Sequence, residues 1–282
     1  MILGILGLGI TGLIFQEIKF NKTYFRLVTS LPLAQGALKT VFYLREKDAT
    51  AAYDTWDELS QEENVSLCAN NSYRYFFADK NSSLDAAEII DESALINLNL
   101  ASADVLARLP GMDNELAQAI VNSGLRPFSA INEVLLVKEI SKDKFLLFKD
   151  LVTVYGQGKI NINTASKVTL LALGLDEEMA NLILRFRREN KIELTAAELI
   201  AEPPPEPGYG ISSLGGLLND LRDFASLGLR QEQDLLTILP VLDVKSEYLR
   251  FNVITAPGGQ EGLRYSIVIH PPTKKVLSWS EY

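Results

Sequence analysis

An internal repeat constrains this chain more than any other feature. Residues 96–121 read INLNLASADVLARLPGMDNELAQAIV, and residues 160–184 read ININTASKVTLLALGLDEEMANLIL. At a spacing of 64, Ile96, Asn97, Asn99, Ala101, Ser102, Leu106 and Leu109 recur as Ile160, Asn161, Asn163, Ala165, Ser166, Leu170 and Leu173. One residue is lost in the turn, after which Ala117 and Ile120 return as Ala180 and Ile183. Each copy reads as a hairpin of two short helices. Leucines at i, i+3 mark the first helix, a glycine turn follows at Gly111 or Gly174, and Ala117, Ile120 and Val121 mark the apolar face of the second. Asn99 and Asn163 stand where an N-cap accepts an unpaired backbone N–H. Two helices this short cannot hold themselves folded, so the copies are expected to pack on each other or on their neighbours.

The flanks follow other periods. Met1 to Phe15 carries no charge, and Glu17 is the first ionisable side chain. That run is shorter than the roughly 20 apolar residues that span a bilayer, and it lacks the basic start and small-residue cleavage site of a secretory signal. From Gln16 to Leu59 only Pro32 and Gly36 interrupt helical propensity, and Phe25, Val28, Leu31, Leu38, Val41 and Phe42 recur at near-helical spacing. The economical reading is one long helix, with residues 1–23 in lipid and a natural start upstream of Met1. Its apolar positions over 24–59, Leu38, Val41 and Phe42 among them, are expected to meet partner proteins. Gly7, Gly9 and Gly12 match a dinucleotide-loop pattern, but residues 27–37 offer none of the acidic partners that pattern needs about 20 residues on. From Lys245 the period becomes two. Leu249, Phe251 and Val253 alternate with polar residues, as do Leu263, Tyr265, Ile267 and Ile269, with turns at Pro257-Gly258-Gly259 and Pro271-Pro272-Thr273 before Val276–Trp279. This predicts a three-stranded antiparallel meander. Tyr73–Phe77 reads as a further strand, and the long helix is the natural cover for the sheet's apolar face.

Composition argues against several functions. The chain has 282 residues and a formal charge of −9, against the basic surplus that nucleic-acid binding requires. One cysteine, Cys68, permits neither an intrachain disulfide nor a thiolate zinc cage. The single histidine, His270, precedes two prolines and reads as a surface residue at a strand end. No nucleophile, phosphate-loop or paired metal-ligand pattern is present, so no catalytic residue is assigned. Asp79, Asp85, Glu88, Asp91 and Glu92 show no calcium-loop spacing and read as a solvated face. Pro203–Gly210 and Ser212–Gly216 read as a solvated connection, followed by a helix over Leu217–Phe224 and a shorter segment near Gln233–Ile238.

The repeat resembles the helix-hairpin-helix family, and the stretch from Ile96 to Val154 looks like the tandem hairpins of competence DNA receptors. In DNA-binding members a Gly-apolar-Gly turn holds a phosphate. Here the turns are Gly111-Met112-Asp113, Glu139-Ile140-Ser141 and Gly174-Leu175-Asp176, with the second glycine replaced each time. Residues 94–158 carry six basic and seven acidic side chains. A structural scaffold is expected, with DNA binding as the alternative.

The whole order resembles the minor pseudopilin K family of type II secretion systems. That resemblance rests on Asp91-Glu92 before Ile96-Asn97-Leu98-Asn99, on Ile160-Asn161-Ile162-Asn163-Thr164-Ala165, on Leu33-Ala34-Gln35-Gly36-Ala37 and on Lys245–Arg250. It implies an α+β fold: a pilin-like long helix packed on a small antiparallel sheet, with a large inserted, duplicated all-α domain. The expected division is 1–23, 24–92, 93–240 and 241–282. It further implies a non-enzymatic protein tethered to the bacterial inner membrane, its soluble part in the periplasm, binding minor pseudopilins I and J at the pseudopilus tip. The family's inserted domain can bind calcium, with no ligand assignable here. The family's peptidase site before the apolar run is absent.

Overall fold

The computed structural model describes residues 2–48, 50, 52–59, 62–76, 91–193, 195 and 208–281, with side chains in the first helix from Thr11 onward. In chain order the elements begin with α1 (Ile2–Glu46), a one-turn α2 (Trp56–Leu59), β1 (Glu62–Ser66) and β2 (Ser72–Phe76). The first repeat contains β3 (Ile96–Asn97), α3 (Ala103–Leu106), α4 (Asn114–Asn122), a 3-10 stretch Ile131–Leu136, α5 (Lys142–Phe148) and β4 (Val152–Thr153). The second contains β5 (Ile160–Asn161), α6 (Lys167–Leu173), α7 (Glu177–Glu189), α8 (Leu217–Phe224), α9 (Leu229–Ile238) and β6 (Leu242–Asp243). The chain closes with β7 (Leu249–Ala256), β8 (Arg264–His270) and β9 (Lys275–Glu281).

The pilin-like part is a helix laid on a five-stranded antiparallel sheet, in the order β1-β2-β7-β8-β9. The meander lies where period-two alternation places it, and β2 joins it by pairing Tyr75 with Val253. Strand β1, EENVS, is polar and gave no alternation to read. Along α1, Leu33, Ala34, Ala37 and Val41 form one buried stripe against Tyr73, Tyr75, Leu249, Phe251, Val253, Tyr265, Ile267 and Ile269. Alanine and glycine on that stripe set the approach distance: a Cβ on Gly36 would stand 3.4 Å from the Tyr73 ring. Thr40 Oγ1 and Tyr73 Oη, 2.8 Å apart, close the same seam. At its near end the buried Ser30 hydroxyl accepts from Thr255 Oγ1 at 2.9 Å and from the Leu263 amide at 3.2 Å.

The helix is shorter than its propensity suggested. It ends at Glu46, and Trp56–Leu59 is a separate turn rather than a continuation to Leu59. Past that end Asp54 folds back onto Arg45, nine residues earlier, in an ion pair that a continuous helix could not make. The Gly7–Gly12 pattern lies inside α1, so no strand–turn–helix forms there.

The repeat visible over 96–121 and 160–184 is the front half of a larger one. Each copy holds two helical hairpins and closes with a parallel strand pair, Ile96 against Val152 and Ile160 against Leu242. The Leu98 amide donates to the Thr153 carbonyl at 2.8 Å, and the Ile162 amide to that of Asp243 at 2.9 Å. Only eight residues separate the two hairpins in the first copy (123–130), against 27 in the second (190–216), which hides the back halves from a fixed-offset comparison. One core joins the copies: Leu98, Leu106, Ile120 and Phe148 lie in it with Ile162, Leu170, Ile183 and Leu235. Arg108 Nη1 also reaches the Ala172 carbonyl across the copies, at 3.2 Å.

Candidate functional site

The most conspicuous surface is the free end of α1. Every side chain from Thr11 to Val28 is exposed, among them Phe20 at 68% and Tyr24 at 59%. Phe20 and Tyr24 stack at i, i+4 with centroids 6.2 Å apart, a pairing within the helix that covers neither ring. Glu17, Lys19, Lys22 and Arg26 interrupt the apolar run, and among the described residues no helix is long and apolar enough to cross a membrane. Apolar exposure on this scale marks a surface that something else covers.

Farther along, the three expected partner contacts sit elsewhere. Val41 is 1% exposed inside the helix–sheet core, and Leu38 and Phe42 pack beside it half-buried. The helical spacing that singled them out is the spacing of the inward face. Outward apolar residues of this stretch include Leu27, Val28, Leu31, Tyr43 and Leu44.

The hairpin turns are built for structure. Gly111 (φ 73°) and Gly174 (φ 111°) occupy the left-handed region, and a Cβ on Gly111 would come within 2.6 Å of Leu147. The residues standing in place of the second glycine are N-caps. Asp113 accepts from the Leu116 amide at 2.8 Å, Ser141 from Lys144 at 3.3 Å and Asp176 from Met179 at 2.7 Å. Amides that a phosphate would use are thus already bonded to side chains, two of them anionic.

The asparagines are not caps. Ser102 and Ser166 cap the first helices instead, accepting from Val105 and Thr169. Asn99 reaches across the repeat: its Oδ1 accepts from the Phe128 amide at 2.7 Å, and its Nδ2 donates to the carbonyls of Phe128 at 2.9 Å and Val154 at 3.3 Å. Asn163 does the same in the second copy, with Ile211 N at 2.7 Å, Ile211 O at 2.9 Å and Asp54 O at 3.2 Å. Each therefore ties the segment before the first hairpin to the connection between the two hairpins. Asn97 and Asn161 complete the motif by accepting from the amides of Asn99 and Asn163 at 2.8 and 2.9 Å. Arg126 and Arg187 donate to the carbonyls at Leu98 and Ala101, and at Ile162 and Ala165. Burial pulls the Arg187 guanidinium down to about 10, with Arg188 adding to it.

Between the pilin-like part and the helical unit lies a buried polar junction. Asp91 and Glu92 are 0% and 1% exposed, which corrects their reading as a solvated face; Asp79, Asp85 and Glu88 lie outside the described residues. Asp91 accepts from the Ser93 amide at 2.8 Å, from Thr164 Oγ1 at 2.6 Å and from Ser246 Oγ. Glu92 accepts from Thr153 Oγ1 and pairs with Arg250 of β7. Each acid thus links the pilin-like sheet to one copy of the repeat: Asp91 to the second, Glu92 to the first. Burial pushes the Asp91 carboxyl up to about 7 against the hydrogen bonds that oppose it. Asp54 extends the junction toward α1, accepting from the Ser246 amide at 2.6 Å.

For calcium, the donor set has to be judged on geometry. Among the described residues Asp48, Asp54 and Glu58 bring carboxylate oxygens within 4.8 Å of one another. The Arg45 guanidinium already contacts all three. An ion there would have to displace it, so these residues do not fit a calcium site. His270 ends β8 half-exposed, its Nδ1 2.6 Å from Thr273 Oγ1, in a turn and not a catalytic constellation.

Comparison with known proteins agrees with this architecture. A family model described as a helix-hairpin-helix motif matches residues 91–153, which is the first copy of the repeat. No curated protein matches the sequence. Among solved structures, the chain is similar to one from the GspK-GspI-GspJ complex of the enterotoxigenic Escherichia coli type 2 secretion system. The TM-score is 0.57 at 16% identity, over 95% of this chain and 99% of that one, so it shares the fold of a secretion-pseudopilin subunit.

Proposed function

We propose that this chain is a K-type minor pseudopilin that binds minor pseudopilins I and J at the tip of a type II secretion pseudopilus and nucleates its assembly. The observation that carries this reading is the helix α1, bare from Thr11 to Val28 with many of its apolar side chains exposed, in a chain that shares its fold with a chain of the GspK-GspI-GspJ complex. Its role is non-catalytic. In this reading residues 1–23 lie in the inner membrane, 24–92 and 241–282 form the pilin-like head in the periplasm, and 93–240 form the insertion. The insertion supports a tip position, since a helical unit of that bulk is too large to be stacked over within a regular fibre. The partner surface of α1 is Leu27, Val28, Leu31, Tyr43 and Leu44 rather than the inward stripe. Mixing the soluble heads of the three proteins and measuring mass in solution tests it. A 1:1:1 complex is expected; absence of any association among purified partners refutes the reading.

A further inference from the structure

Below the sheet, the inward face of α1 changes character. Lys19, Lys22, Arg26, Ser30, Leu33, Ala37 and Val41 follow one another at steps of three and four, so they share one face of the helix. Ser30, Leu33, Ala37 and Val41 are buried in the head. Toward the start of the chain the same face becomes Lys19, Lys22 and Arg26, all exposed, in a chain whose formal charge is −9.

The base of the head adds to this charge. Arg26 Nη2 donates to the Gly262 carbonyl at 3.1 Å, which seats the β7–β8 loop beside the cations. Arg264, where that loop enters β8, pairs with Glu261 at 2.6 Å. The Glu261 carboxyl is held below its ordinary value by the Arg264 hydrogen bond and charge, and Arg26 and Arg74 act in the same direction. Three arginines thus stand around this acid and outnumber it.

Two further features identify what the face meets. The run Met1 to Phe15, ahead of the cations, carries no charge. On the far side of the helix from Lys19, Lys22 and Arg26, Phe20 and Tyr24 stack with both rings exposed. An apolar run followed by aromatic rings and long cations is the order in which a helix passes from acyl chains into headgroups.

We propose that Lys19, Lys22 and Arg26, with Arg264 beside them, form a docking surface for anionic lipid headgroups that holds the base of the head against the bilayer. This inference rests on the reading that α1 enters a membrane, and adds to it the chemistry of the lipid.

The test is co-flotation of the full-length chain with vesicles of phosphatidylcholine, alone or mixed with an equal part of phosphatidylglycerol. Partition into the anionic vesicles should exceed that into the neutral ones by at least about tenfold at low salt and fall as salt rises. Lys19→Gln/Lys22→Gln should erase most of that preference while leaving the melting temperature and binding to neutral vesicles unchanged. Lys138→Gln/Lys142→Gln removes the same charge from exposed positions of the helical unit and should keep the preference. Equal binding to both vesicles, or an equal loss in the two variants, overturns the proposal and leaves the membrane reading standing. Binding to neither vesicle overturns both.

Discussion

Asn99 and Asn163 show how much one amide side chain can carry. Each satisfies a backbone N–H and carbonyl of a single distant residue, Phe128 or Ile211. Removing Asn163 orphans buried groups, so Asn163→Ala should cost about 3 kcal/mol, whereas Ser166→Ala removes one cap for about 1 kcal/mol. Chemical denaturation of the two variants checks the order; equal losses would return the cap to Asn163. Asp91 carries a second prediction. Its carboxyl is raised from an ordinary 3.8 to about 7 by burial. Between those values the folded chain keeps a proton that the unfolded chain has released. This contribution is therefore fully present below pH 4 and lost as pH rises through about 7, with a slope of at most about 1.4 kcal/mol per pH unit. Asp91→Asn should flatten the pH dependence of unfolding between pH 4 and 7, and an unchanged slope would contradict the assignment. The spacing of Asn99 and Asn163 was legible in the repeat; the partners of their side chains were not, because those lie 29 to 109 positions away.

At the scale of elements, what was legible followed from periodicity. Alternation placed β7, β8 and β9, and Leu217–Phe224 is a helix over that span. Periodicity says which residues share a face but not which face is inward. The spacing alone thus assigns Val41 to partner contact, whereas it faces the sheet. Val41→Asp should therefore unfold the head by burying an unpaired charge, while Tyr43→Asp leaves the melting temperature nearly unchanged. Equal effects would mean the helix lies on the sheet by another face. The polar strand β1 and the end of α1 at Glu46 were illegible. One lacks apolar alternation, and the other depends on the ion pairs of Arg45, which form only once the loop has folded back. Removing residues 1–23 should leave cooperative unfolding intact, since from Thr11 these side chains touch no core; loss of the transition would contradict that boundary.

For the whole molecule, the capped hairpin turns and the charge of −9 favour a scaffold over a DNA binder. Capped turns and a net negative charge predict no duplex binding near physiological salt, and a mobility shift with a steep salt dependence would reverse this. The bare face of α1 points to protein partners instead. The most direct test titrates the isolated I and J heads with the head of this chain and with its Leu27→Asp/Leu31→Asp variant. The account predicts a 1:1:1 complex for the wild-type head and at least about tenfold weaker assembly for the variant, whose own melting temperature stays near wild type. Assembly at wild-type affinity by that folded variant would contradict the claim that α1 is the partner-binding surface.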